Sequence, residues 1–197
     1  MADRTSIKKC FPFTTNMFVR VKKIGKHRYG YLVENKWTDE GARQKNKAYL
    51  GRIFLFDELL DLRSLFAEDL SEELMNNNFK EGIELLLRRL LLHLGFERKG
   101  KRFIKKDFLV YKNQVRRGKK KCVLELHHGF LCAFTLNQLF SLSYEGGSLR
   151  NWGFRLANTI SLSGIPISKE EFIGLSARAI SEYEVKVRTK ELEDFYY

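Results

Sequence analysis

The sequence predicts an α+β protein in which an N-terminal three-stranded antiparallel β-meander is followed by a mostly helical domain with a small β-sheet. Three observations lead there. Residues 17–50 contain β-branched and aromatic runs punctuated by Gly25 and Gly41. Beyond Gly51 the apolar residues recur at three- and four-residue steps. Beyond Gly95 short runs with strand-like composition return. The division is a basic β-module over 1–51 and an α+β domain over 52–197.

Taken in order, Met17–Ile24, Arg28–Trp37 and Ala42–Leu50 are expected as strands. In the third, a period of two places Arg43, Lys45 and Lys47 on one face, a basic stripe. A helix is expected from Phe54 through Leu55, Leu59, Leu62 and Leu65, with Asp57, Glu58 and Asp61 toward solvent. A second should start after Asn78, with Glu81 at capping-box spacing, and stop at Gly95. Strands follow at 96–98, 102–104, 108–112 and 121–126, with Arg116 to Lys120 in a loop, and Cys122–Phe134 turns as a hairpin at His128 and Gly129. Thr135 with Gln138 has capping-box spacing for a short helix. Two further helices cover 149–162 and, capped by Ser168 with Glu171, 169–183; the tail 191–197 is expected to be loosely ordered.

The chain has 197 residues, long enough for one medium domain or two small ones. Apolar residues make up 44% of it, which excludes a disordered reading. The formal charge of +12 points to a polyanionic partner. It is unevenly placed: residues 1–52 have 13 basic and 4 acidic groups and 88–121 have 14 and 2, whereas 57–84 have 2 and 9. Three cysteines at irregular spacing fit a reducing compartment, and no apolar signal segment or span is seen, so the expectation is a cytoplasmic protein with no membrane partner.

The runs Phe18-Val-Arg20-Val-Lys-Lys-Ile-Gly25, Tyr29-Gly-Tyr31-Leu-Val-Glu34, Gly41-Ala-Arg43-Gln44-Lys45 and Tyr49-Leu-Gly51 resemble the N-terminal module of insertion-sequence DDE transposases, which is similar to the opening of various archaeal proteins. The resemblance covers residues 17–51 and implies a portable, nucleic-acid-associated β-element. It does not imply transposition: such enzymes hold two metal ions with three carboxylates on a ribonuclease H-like domain, and the residues after Gly51 do not read as one.

Candidate chemistry is sparse. Asp107, Glu125 and His127 follow a helix in an order loosely similar to PD-(D/E)xK nucleases, whose carboxylates bind Mg²⁺ while a lysine steadies water or phosphate; here His127 stands at the lysine position. A metal-dependent nuclease with a degenerate site of this kind is the enzymatic alternative. Cys122, His127, His128 and Cys132 have zinc-ligand chemistry, but a turn at His128 leaves Cys122 too far down its strand to share an ion, so no metal or cofactor is expected.

Binding has more support. Phosphates need repeated cations, and unpaired bases need planar side chains among them. One set is Arg20, Lys22, Lys23, Lys26, Arg28, Tyr31, Lys36, Trp37, Arg43, Lys45 and Lys47; the other is Lys101, Arg102, Lys105, Lys106, Arg116, Arg117, Lys119 and Lys120. The expectation is a non-catalytic binder of DNA or RNA, or an adaptor, with the acidic segment 57–84 as a place for a protein partner; a protein-interaction module is the non-enzymatic alternative.

Overall fold

Alternating apolar and polar residues build strands of one sheet, with helices packed against it. The computed structural model describes residues 17–38, 41–56, 65–66, 69–126 and 129–196. The first three strands are β1 (Met17–Ile24), β2 (His27–Thr38) and β3 (Gly41–Leu55). Helices α1 (Ser71–Asn76) and α2 (Phe79–His93) follow. Next come five strands: β4 (Glu97–Lys99), β5 (Arg102–Lys105), β6 (Phe108–Tyr111), β7 (Gln114–Arg117) and β8 (Lys120–Leu126). The short β9 (Gly129–Leu131) leads into α3 (Ala133–Phe140), α4 (Leu149–Ser163) and α5 (Lys169–Tyr196).

The expectation of a three-stranded meander followed by a mostly helical domain is overturned. The strands form one nine-stranded mixed sheet in the order β1-β2-β3-β8-β7-β6-β5-β4, with β9 paired to β8 off that path. The joint is β3. Its last residues, from Arg52 to Leu55, pair in parallel with Cys122 to Glu125 of β8, so Phe54 and Leu55 end a strand where a helix is expected to begin. Ile53 and Leu55 alternate with Arg52 and Phe54 just as a strand requires, so the start of the apolar run that reads as helical is the end of a strand. The rest of that expected helix, 57–64, lies outside the described residues.

Two-residue loops close the meanders. Gly25-Lys26, Gly100-Lys101, Lys106-Asp107, Lys112-Asn113 and Gly118-Lys119 each sit between paired strand ends. Their first residues have φ between 51° and 62°, with no positive φ at the second, the pattern of type II′ turns. Lys112-Asn113 turns the chain into β7, so Arg116 and Arg117 lie on a strand instead of in the expected loop.

The two faces of the sheet bury different things. Phe54, Phe103, Phe108, Val110, Val115, Cys122 and Leu124 join the main core with Leu86, Leu90 and Leu91 of α2, Leu156 of α4 and Leu175 of α5. Burying leucines of this size contributes about 1.5–3 kcal/mol each. We call this side the helix face. On the far face, Leu32, Leu50, Ile53 and Val123 close a smaller cluster with Cys132, against which Val19, Val21, Phe130 and Phe134 pack. Gly51, at φ 122°, lies where β3 meets β8; a β-carbon there would overlap the Lys121 carbonyl.

The helix ends follow their capping chemistry. At α2 the Asn78 side chain accepts from the Glu81 backbone N–H at 3.0 Å and the Glu81 carboxylate accepts from the Asn78 N–H at 3.1 Å. Ser168 and Glu171 form the same reciprocal pair before α5. At α3 the cap is Cys132 and Thr135 is the third helical residue, its hydroxyl accepting from the Cys132 N–H, so the helix begins a turn earlier than the Thr135–Gln138 spacing implies. The expected loose tail is helical to Tyr196. No helix among the described residues is long and apolar enough to cross a membrane.

Candidate nucleic-acid interface

Because β3 pairs with β8 only from Arg52 onward, its first part extends with β2 roughly 30 Å beyond the start of β8, at about 3.4 Å per residue. This arm carries the first basic block. Its sidedness is set by two bulges. Between Tyr31 and Tyr49 the register is regular, but Leu50 and Lys47 are extra residues on β3, each shifting the alternation by one. Strict alternation from Arg43 would put Tyr49 beside Lys45 and Lys47. The Lys47 bulge sends it to the opposite face.

Cross-strand partners share a face, so the pairs Arg20–Tyr31–Tyr49 and Lys22–Tyr29–Arg52 form two rows on the helix face, beyond the main core. The rings touch: Tyr31 and Tyr49 have centroids 5.4 Å apart, Tyr29 and Tyr49 6.3 Å, and His27 stands edge-on to Tyr29 at 6.4 Å. Tyr49 is 53% exposed. Its hydroxyl pKa is raised by burial and by the two neighbouring phenols, so Tyr49 stays neutral at physiological pH. Arg20 donates to the Gln44 side chain at 2.9 Å, which fixes its guanidinium beside the rings.

The far face of the arm carries Lys36, Arg43, Lys45 and Lys47 around Glu34. Lys47 pairs with Glu34 at 2.8 Å and Lys36 lies 3.8 Å away; the Lys47 hydrogen bond holds the Glu34 carboxyl below its ordinary range. Trp37, near the tip, is 81% exposed. Lys22, Lys23, Lys26 and Lys45 are solvent-exposed.

Other expected cations have partners inside the protein. Arg28 makes a bidentate pair with Glu125, one contact at 2.8 Å. Lys105 donates to the Leu94 carbonyl at the end of α2 and lies 5.6 Å from the Phe56 ring. Arg117 binds Asp107 and sits over the rings of Phe54 and Phe108 at 4.7 and 5.1 Å. Arg102 lies over Tyr111 at 5.5 Å, Arg116 is half-buried on β7, and Lys101, Lys106, Lys119 and Lys120 occupy hairpin tips or strand starts, exposed.

The carboxylates expected for metal chemistry are thus each engaged by a different arginine, and His127 lies outside the described residues. Glu125 faces Phe130 on β9. Among the described residues no group of three or more acids, histidines and cysteines is placed to hold a metal. Cys122 and Cys132 are buried free thiols, and burial pushes Cys122 up to about 12.

No protein family, curated protein or solved structure matches this chain. The interface is therefore read from its own geometry. Tyr29, Tyr49 and Arg52 share the helix face and are absent from the expected binding set. Leu32 and Val33 are buried, and Tyr49 is not.

Proposed function

We propose that this protein binds nucleic acid without transforming it, through the β1–β3 arm and the basic strands joined to it. The observation that carries the reading is the β3–β8 junction. It joins two cation-rich segments, distant in sequence, into one sheet, and beside that junction lies an aromatic cluster bordered by Arg20, Lys22 and Arg52. Repeated cations around exposed rings are the elements of phosphate contact and base stacking. The resemblance of residues 17–51 to a transposase N-terminal module favours the same assignment.

Binding is preferred to hydrolysis because Asp107 and Glu125 are neutralised in separate ion pairs. The test is a titration of fluorescently labelled DNA and RNA by the purified protein. Binding in low salt that weakens when Arg20 and Lys22, the cations bordering the tyrosines, are changed to glutamate supports the assignment; no binding of either polymer in low salt contradicts it.

A further inference from the structure

From the rows of side chains across the sheet we infer that the ligand of the arm is a single strand, laid across β1, β2, β3 and β8 on the helix face. This rests on the proposed nucleic-acid binding and specifies it. Beginning at the outer edge, Arg20 and Lys22 on β1 lead to Tyr31, Tyr29 and Tyr49 on the next two strands. Beyond the rings come Arg52 on β3 and Lys120 on β8. Arg52 pairs with Cys122, which is on the core side, and alternation returns Lys120 to that same face. The pairing of Lys120 with Arg117, whose guanidinium covers Phe54 and Phe108, places it there independently.

Cations therefore border the tyrosines on both sides, with about 14 Å between the outer β1 and β8 at ordinary strand spacing. A phosphate chain crossing the strands meets positive charge, then rings, then positive charge. A ring on a sheet surface can stack only on a base whose face is free, and in a duplex those faces are already covered by neighbouring pairs. Asn46 shares this face in the next row, opposite Val33, and is exposed, which supplies a donor and an acceptor for a base edge. Charge on both flanks, an exposed ring between them and an amide alongside fit an unpaired strand better than a rigid double helix.

The experiment measures affinity for a single-stranded 12-mer and for the same sequence as a duplex, using the full chain and the variants Tyr49→Ala, Tyr49→Phe and Lys120→Gln. The single strand is expected to bind more tightly. Tyr49→Ala should lose about tenfold or more of that affinity, Tyr49→Phe should keep it, and Lys120→Gln should flatten the salt dependence by about 0.7 in log–log slope. Circular dichroism melting of each variant separates loss of contact from loss of fold. Equal or tighter duplex binding, or indifference to Tyr49→Ala in a folded protein, overturns the single-strand assignment while leaving nucleic-acid binding in place. Failure to bind either form in low salt removes both.

Discussion

Arg89 and Glu171 are the most deeply buried charges among the described residues, and they join α2 to α5. The Glu171 carboxylate receives both terminal nitrogens of Arg89, one at 2.9 Å, and also the Ser168 N–H at 2.9 Å; Phe66 lies 5.5 Å from the guanidinium. Removing one partner strands a buried charge, so Glu171→Ala should cost about 3–5 kcal/mol in urea unfolding. Arg89→Met with Glu171→Leu should cost less than either change alone, a non-additivity that a double-mutant cycle measures. Asp107 gives a titration test. The Arg117 hydrogen bond holds its carboxyl below the ordinary value of 3.8. Being depressed in the folded state, it stabilises above 3.8, and that contribution is lost as pH falls through the lower folded value. Carbon-detected NMR should show Asp107 returning toward 3.8 in Arg117→Gln. The thiols make a third case: with Cys122 near 12 and Cys132 also raised by burial, neither should be alkylated at pH 8 until the chain unfolds.

At the level of elements, the strands rich in β-branched and aromatic residues were the legible ones. β1, β2 and β3 follow from period-two runs between Gly25 and Gly41, and α2 follows from Asn78, Glu81 and Gly95. β7 was hidden because Gln114-Val115-Arg116-Arg117 has a single apolar side chain and reads as part of a basic loop, although Lys112 adopts φ 51° to turn the chain into it. Lys106 pays the same conformational penalty at φ 53°; Lys106→Gly should raise stability by about 1 kcal/mol in thermal melts. The bulges were hidden for another reason. Nothing local to Lys47 or Leu50 marks them, yet they decide that Tyr49 leaves the basic stripe and joins Tyr31. Gly51 contributes through close approach: Gly51→Ala meets about 1–3 kcal/mol of backbone strain in addition to overlap with the Lys121 carbonyl. Amide exchange in that variant should accelerate first along Arg52–Leu55, where β3 meets β8.

Across the whole molecule, what sequence reasoning lacked was a non-local pairing. The match of Arg52–Leu55 with Cys122–Glu125 spans, among the described residues, two helices and four strands, and no periodicity within either segment specifies its partner. Without it the two basic segments are separate features; with it they lie in one sheet, and the tyrosines fall between cations from β1 and β8. Charge and aromatic content were readable from composition, whereas their arrangement depended on the junction and the bulges. The most direct test of the central claim is the salt dependence of binding to labelled nucleic acid by fluorescence anisotropy. About four phosphate contacts give a log–log slope near −3 for a single strand, flatter when Lys22 and Lys120 are both changed to glutamine. No binding in low salt, or binding whose strength does not change with salt, would contradict the account.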